Sequence, residues 1–254
     1  MNAEVYTADA SLKGKLRRRW SRLAHRRPAA SSPGRPMISF SFDDAPVSAA
    51  RDGAPILESM GVRGTFYVCA GLAGIDGPMG PYTQRRDVEA LVAAGHEIGC
   101  HTFGHLDCGQ ADAAEVAREA RKNREALIAW GAPDPTTFAY PYGDVAPAAK
   151  AELARDYIGL RALHPGLVKA GADLNQLPAV GVEGPDGEAV ARRWMDRAAE
   201  RGGWLILYTH DVREGASAFG CTPCALGRLV DRALEAGFEP VTVAEGVRRL
   251  GAAG

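Results

Sequence analysis

Aspartates and histidines that could bind a metal and move protons follow three of the apolar runs in this sequence. The first run ends in Asp43 and Asp44, a later one in His101 and His105, and a run near the end of the chain in His210. Carboxylates and imidazoles bind zinc in catalytic sites that keep one coordination position open. The set predicts a metal-dependent hydrolase.

The spacing of the two histidines is a weak signal by itself. Gly104 lies between His101 and His105 where a strand ends, which indicates a tight turn or a single helical turn. Either geometry brings both rings to one metal; the alternative is that one ring is an ordinary core or surface histidine. The nearby pair Asp43 and Asp44 favours the metal, because two histidines and one carboxylate form a common zinc arrangement. Zn²⁺ is favoured, but Co²⁺, Ni²⁺ and Mn²⁺ suit the same ligands.

Amide hydrolysis at such a metal requires a base for the water and an acid for the leaving amine. Asp43 is placed for the first role and His210 for the second. The alternatives are a helix N-cap at Asp43 and a buried structural histidine at His210. The turn formed by Pro141, Tyr142 and Gly143 could direct a backbone N–H at the developing oxyanion. An ordinary strand-ending turn would have the same spacing.

Alternating strands and helices must position these residues. Apolar runs predict strands at 37–42, 63–70, 96–101, 136–142, 157–163, 177–182, 204–210 and 238–243. Helical patterns occupy the intervals, at 47–60, 84–94, 111–130, 146–156, 187–201, 223–236 and 244–250. Apolar strands separated by helices indicate a parallel sheet covered by helices. We expect a closed or nearly closed α/β barrel with its site at the C-terminal strand ends, and a doubly wound open sheet is the alternative.

At these residues the chain resembles the polysaccharide deacetylases of carbohydrate esterase family 4, the NodB-homology domain. The resemblance covers roughly residues 37–250 and implies a distorted (β/α)7-8 barrel. The family's Phe-Asp-Asp motif is matched up to Asp44, which implies a catalytic base at Asp43 and a metal ligand at Asp44. The His-(Ser/Thr)-x-x-His motif is matched in full, which implies two further ligands, His101 and His105.

The later motifs of the family are matched less completely. Pro141, Tyr142 and Gly143 match the third motif, where the family uses a backbone N–H for the oxyanion. The Leu-x-His motif is matched at His210 with the leucine one place early, which implies the catalytic acid. The arginine that often tunes the base in the third motif is absent, and the Asp-Trp element that supports the histidine is not recognisable at 157–200. The partners of the base and the acid are therefore unassigned.

A basic segment, residues 11–27, precedes the predicted barrel. It has eight lysines and arginines and no acidic residue, and Leu12, Leu16, Trp20 and Leu23 recur at helical spacing. One interpretation is a basic helix that docks on the barrel. The other is a helix that lies on a membrane surface and binds anionic lipid, which would give peripheral contact at the inner membrane face.

The whole chain suggests two regions, a basic helix with a linker at 1–36 and a deacetylase domain at 37–254. Lys and Arg number 30 and Asp and Glu 31, so no nucleic-acid partner is expected. Neither a transmembrane run nor a secretory signal is recognisable, and the five cysteines resemble no disulfide framework. Cys221 and Cys224 could be a redox pair or half a zinc site, but reduced structural cysteines are favoured. These features predict a cytoplasmic location.

We therefore expect an enzyme that removes N-acetyl groups from a polysaccharide or lipid-linked oligosaccharide containing N-acetylglucosamine. Exopolysaccharide or adhesin biosynthesis is a suitable context for such a substrate. A first alternative keeps the metal but changes the reaction to deformylation, O-acetyl ester cleavage or hydrolysis of a small cyclic amide. A second is an inactive sugar-binding module, against which the joint presence of Asp43, His101, His105 and His210 argues.

Overall fold

The structure, a computed structural model, describes residues 11–252, in which helices surround a curved sheet. The strands of this range are β1 Met37–Phe42, β2 Thr65–Val68, β3 Asp76–Gly77, β4 Gly80–Pro81, β5 Glu97–Cys100, β6 Thr137–Ala139, β7 Gly159–Arg161, β8 Val180–Gly181, β9 Trp204–Thr209 and β10 Glu239–Pro240. Its α-helices are α1 Leu12–Leu23, α2 Ala54–Ser59, α3 Arg85–Ala93, α4 Ala113–Ala129, α5 Pro147–Asp156, α6 Gly187–Arg201, α7 Pro223–Glu235 and α8 Val243–Leu250.

The main sheet is parallel and has the strand order β7-β6-β5-β2-β1-β9-β8. β1 pairs with β9 along its whole length, and its other edge pairs first with β10 and then with β2. The two ends of the sheet approach each other at Leu177, whose N–H donates to the Leu160 carbonyl at 2.8 Å and whose carbonyl accepts from the Ala162 N–H at 2.9 Å. The predicted parallel sheet in a distorted barrel is confirmed.

The central strand β1 shows how the sequence produces two layers. Successive side chains of a strand point to opposite faces. Phe40 and Phe42 pack in the largest apolar cluster, which includes residues of α2, α3, α4, α6 and α7. Ser39 and Ser41 lie on the opposite face and are buried, and the Ser39 hydroxyl donates to the Val241 carbonyl at 2.6 Å. The helices thus cover one face, while small polar residues fill the barrel below the strand end.

Several predicted elements are shorter or less regular in the structure. The strand predicted at 136–142 is β6, which ends early because Pro141 has no N–H for the strand ladder. The helix predicted at 47–60 begins with a π-helical turn, Ala49–Gly53, before α2, where Pro55 cannot donate to the preceding turn. The small hairpin of β3 and β4 was not predicted, because each strand has only two residues.

The predicted basic helix forms as α1, which lies against α5 and the loop before it. The Ser21 hydroxyl donates to the Val145 carbonyl at 2.6 Å. The division of the chain into regions 1–36 and 37–254 stays a prediction, and residues 1–10 lie outside the described residues. Within the described range, no helix combines the length and apolarity needed to cross a membrane.

Candidate active site

The segments that follow β1, β5, β6 and β9 meet at one end of the barrel, because parallel neighbouring strands end at the same edge. Asp43 and Asp44 directly follow β1. His101 directly follows β5, and His210 directly follows β9. The structure therefore brings the predicted base, acid and metal ligands to a common edge, although their roles stay predictions.

Unusual backbone conformations are concentrated at this edge. Within the described residues, the non-glycine residues with φ between 44° and 61° are His25, Asp44, Ala45, Thr102, His105 and Tyr142. All of these except His25 belong to the turns after β1, β5 and β6. A left-handed non-glycine residue costs of order 1–3 kcal/mol and persists only where its surroundings hold it. The fold thus supports strained turns at this edge.

The side chains of Asp44, His101 and His105 converge on one point. Asp44 Oδ1 lies 3.2 Å from His105 Nε2 and 3.5 Å from His101 Nε2. All three candidate ligand atoms lie within 4.8 Å of one another. Ligand atoms around a tetrahedral zinc, each about 2.1 Å from the metal, are about 3.4 Å apart. The spacing of the three side chains fits a single ion.

The hydrogen bonds of these side chains fit a metal as well. His101 Nδ1 lies 2.8 Å from the Ala139 carbonyl oxygen, so this nitrogen carries the proton and Nε2 presents its lone pair toward Asp44. Burial, followed by the nearby His105, lowers the pKa of His101 to about 4, so the ring is neutral near pH 7. Asp44 Oδ1 is buried and has no hydrogen-bond donor among the described residues. A divalent cation would satisfy this oxygen.

Asp43 is held by an arginine that sequence analysis did not identify. Arg161, the last residue of β7, is fully buried, and its Nη2 donates to both Asp43 carboxylate oxygens at 2.6 Å. The rings of Tyr67 and Tyr208 lie 5.1 and 5.3 Å from the guanidinium carbon. Burial opposes ionisation of Asp43, but nearby positive charge, chiefly Arg161, outweighs it and lowers the pKa. Asp43 is therefore an anion near pH 7.

His210 is held by a glutamate that sequence analysis also missed. Its Nδ1 lies 3.3 Å from Glu183 Oε1 and 3.1 Å from the Phe219 carbonyl oxygen. The Tyr208 hydroxyl donates to the other Glu183 oxygen at 3.1 Å. Burial disfavours the charged ring, but Glu183, followed by Asp43, outweighs burial and raises the pKa of His210 to about 9. The imidazolium is thus the main form near pH 7, and its Nε2 proton is available for donation.

Weak signals for both partners were present in the sequence. Arg161 is the only charged residue in the apolar segment 157–163, and Glu183 directly follows the apolar segment 177–182. Neither lies in a motif that points to Asp43 or His210, and 118 positions separate Asp43 from Arg161. The curvature of the sheet brings Arg161 of β7 across the barrel to Asp43, and parallel pairing of β8 with β9 places Glu183 beside His210.

The turn of Pro141, Tyr142 and Gly143 lies beside the metal-ligand cluster. The Tyr142 ring packs edge-on against His105, with 4.5 Å between ring centroids. Pro141 has no N–H, and the Gly143 N–H donates to the Tyr140 carbonyl at 2.8 Å within the turn. The oxyanion-binding role of the turn stays a prediction, with the Tyr142 amide as the donor to test.

The reduced, structural role of Cys221 and Cys224 stays a prediction. Both thiols are free, Cys221 being buried and Cys224 exposed at the start of α7. Burial raises the pKa of Cys221 to about 11, which disfavours a reactive thiolate. Across residues 11–252, the cluster of Asp44, His101 and His105 is the one group of three such side chains close enough to hold a metal.

Comparison with known proteins is consistent with this geometry. The polysaccharide deacetylase family model matches residues 30–161, slightly more than half of the chain. The chain belongs to this family. Among the curated relatives, a chitin deacetylase of Pestalotiopsis sp is 32% identical over 106 residues, 41% of this chain and 34% of that protein. The peptidoglycan-N-acetylglucosamine deacetylase PgdA of Listeria monocytogenes is 29% identical over 109 residues, 42% of this chain and 22% of that protein.

The match to these two relatives spans about a third of the first and less of the second. Solved structures extend the likeness over most of the fold. The chitin deacetylase of Colletotrichum lindemuthianum superposes with a TM-score of 0.62 at 20% identity, covering 85% of this chain and 89% of that one. At this identity the likeness shows the fold of the polysaccharide deacetylases.

Proposed function

We propose that this protein is a metal-dependent hydrolase that removes N-acetyl groups from a glycan containing N-acetylglucosamine. The observation that supports this proposal most is that three candidate metal ligands lie at the same end of the barrel as two groups of opposite charge that could transfer protons. Asp43 is an anion next to the ligand Asp44, and His210 is a cation near pH 7. Hydrolysis of an amide needs a base and an acid in these two states.

Each side chain has a defined part in the proposed reaction. When bound by Asp44, His101 and His105, the metal would supply Lewis acidity toward the amide carbonyl. Asp43 accepts a proton from the attacking water, whose oxygen forms the new bond to the acyl carbon. His210 donates its Nε2 proton to the amide nitrogen as the C–N bond breaks. The products are acetate and the free amine of the sugar.

Arg161 and Glu183 set the starting states of these two groups. Arg161 neutralises Asp43 and positions both of its oxygens, which keeps the base deprotonated. Glu183 forms an ion pair with His210 at Nδ1, which stabilises the imidazolium, while the Phe219 carbonyl accepts the Nδ1 hydrogen bond and leaves Nε2 on the far side of the ring. Both are positioning residues, because they act through Asp43 and His210.

The sugar class and the setting are finer proposals. The two relatives are named as deacetylases of chitin and of N-acetylglucosamine in peptidoglycan. We propose an N-acetylglucosamine polymer or a lipid-linked oligosaccharide in the cytoplasm, as in exopolysaccharide synthesis. Zn²⁺ is the proposed metal, since one carboxylate and two imidazoles suit it, and Co²⁺, Ni²⁺ and Mn²⁺ are the ions to compare.

The test is acetate release from N-acetylglucosamine oligomers by protein stripped with a chelator and reloaded with each of these ions. Asp43→Asn should bind about one equivalent of metal and release acetate about 10²–10⁴-fold more slowly. Asp52→Asn is the matched control, because Asp52 is exposed on the π-helical turn, and it should behave like the wild type. Faster hydrolysis of O-acetyl esters or N-formyl sugars by loaded protein would contradict the proposed reaction.

A further inference from the structure

The outward face of α1 is apolar, which reverses the usual orientation of an amphipathic helix on a protein core. Leu16, Trp20 and Leu23, which we call the α1 apolar face, are 67%, 62% and 63% exposed. Gly14 and Ser21 are instead buried on the side that faces the barrel. The helix thus docks through small residues and presents its large apolar residues to the surroundings.

Polar contacts fix α1 in this orientation. Arg17 pairs with Asp144 at 2.5 Å, and the Ser21 hydroxyl donates to the Val145 carbonyl at 2.6 Å. The buried Lys150 ammonium donates to the Ser21 carbonyl at 2.7 Å. Rotation of the helix to bury its apolar face would break all three contacts and leave buried polar groups unsatisfied. The exposed apolar face is therefore a stable feature of the fold.

Positive charge accompanies this apolar face. Arg19 and Arg22 are exposed on α1, and a shallow depression is lined by Arg17 and Arg19 together with the apolar face. The segment 11–27 contains no acidic residue. Apolar residues flanked by basic ones match an anionic bilayer, where lipid headgroups take the charge and the acyl boundary takes the apolar side chains. Nucleic acid would account for the charge alone, and a second copy would place like charges together.

We propose that α1 binds the surface of an anionic bilayer and thereby places the active-site end of the barrel next to the membrane. Asp144 and Val145, which hold α1, directly follow the turn 141–143 beside the metal-ligand cluster. A glycan attached to a lipid would then be presented at the site. This last consequence rests on the proposed function, whereas the membrane contact does not.

Co-sedimentation with phosphatidylcholine vesicles, with and without phosphatidylglycerol, tests the contact. The wild type should bind the anionic vesicles, and added salt should weaken binding. Combined Leu16→Gln, Trp20→Gln and Leu23→Gln should weaken binding about tenfold or more, because less apolar area enters the bilayer. Ile128→Gln, at an exposed apolar site on α4, is the matched control and should bind normally.

Two further variants separate apolar from electrostatic contributions. Trp20→Phe should retain binding, because it keeps an aromatic apolar side chain, while Arg19→Glu with Arg22→Glu should weaken it. Equal binding to vesicles without phosphatidylglycerol would overturn the anionic-surface proposal, as would unchanged binding by the triple glutamine variant. A dimer that the triple variant abolishes, without vesicle binding by the wild type, would assign the face to a second copy.

Acetate release from soluble oligomers separates this inference from the proposed function. The triple glutamine variant should release acetate from soluble oligomers at the wild-type rate, because the α1 apolar face does not include site residues. Vesicle binding without acetate release would contradict only the proposed function. Acetate release without vesicle binding would contradict only the membrane contact.

Discussion

The metal-binding half of the site and its proton-transfer half are built in different ways. In the metal half, Asp44, His101 and His105 lie on turns directly after two strands, and two of the three hold left-handed backbone conformations. Short sequence motifs and local backbone strain produce this half. Its remaining requirement is that β1 and β5 end at the same edge of the sheet, which parallel pairing through β2 provides.

The proton-transfer half depends on charged partners that follow or belong to other strands and lie outside the recognised motifs. Asp43 at the end of β1 meets Arg161 of β7, and His210 after β9 meets Glu183 after β8. The first pair forms across the interior of the barrel. The second joins the ends of two neighbouring parallel strands, β8 and β9. The metal ligands lie in recognisable motifs at strand ends, whereas the charge states of the base and the acid depend on partners outside any motif, Arg161 across the barrel and Glu183 after the neighbouring strand.

The largest expected effect comes from removing a metal ligand. His105→Ala should lower bound metal from about one equivalent to a small fraction and reduce acetate release below detection, since the cluster then keeps only two ligands. Metal analysis after dialysis and an acetate assay measure both. The rest of the fold should be unaffected, so the melting temperature of the protein measured without metal should change little.

A matched histidine control sharpens this result. His25 is exposed and also has a positive φ of 49°, so His25→Asn keeps a side chain that tolerates the left-handed region. This variant should bind metal and release acetate like the wild type. Full metal binding by His105→Ala would show that the cluster is not the metal site. It would contradict the claim that the strand-end motifs supply the metal ligands.

Much of the fold could be predicted because its elements have strong local patterns. The apolar run of β1 and the helical pattern of α6, predicted and observed at 187–201, are long enough to be distinctive. β8 and β10, with two residues each, were predicted too long, since their extent is set by their neighbours in the sheet. The outward orientation of α1 could not be predicted, because periodicity shows which residues share a face but not where that face points.

The site divides in the same way. Motif residues from Asp43 to His210 could be named from the sequence because each is next to a recognisable strand end. Arg161 and Glu183 could not be assigned, because neither lies in a recognised motif and each acts on a partner at the end of another strand. A charged residue within an apolar strand is a useful signal for such a partner, since a buried charge must be paired.

Removing Arg161 should affect both stability and the acidic side of the pH profile. Arg161→Met leaves Asp43 as a buried carboxylate without its cation, at a cost of about 3–5 kcal/mol of folding free energy. The pKa of Asp43 is lowered in the wild type, so the pair stabilises the fold at neutral pH and this contribution is lost as the pH falls through that pKa. In the variant the pKa rises, and the acidic limb of kcat/KM should move to higher pH.

Denaturant unfolding and a pH profile of kcat/KM measure these changes. Arg161→Lys retains a positive charge and should recover part of the stability and of the acidic limb, which covers the case that Arg161→Met fails to fold. Arg118→Met, at an exposed arginine of α4, is the control and should alter neither quantity appreciably. An unchanged acidic limb in a folded Arg161→Met protein would show that Arg161 does not control the pKa of Asp43.

The smallest effect is expected at the partner of the acid. Glu183→Gln keeps the size of the side chain but removes the charge that raises the pKa of His210 to about 9. The pKa of His210 should fall, so the imidazolium is lost at a lower pH and the alkaline limb of the kcat profile shifts to lower pH. At pH 8 we expect about 10–100-fold slower acetate release, with metal content unchanged.

Glu125→Gln, at an exposed glutamate of α4, controls for the loss of one charge. A changed metal affinity with an unchanged alkaline limb would show that Glu183 acts on the metal ligands and not on His210. The division of the site into a metal-binding half and a proton-transfer half would then be wrong.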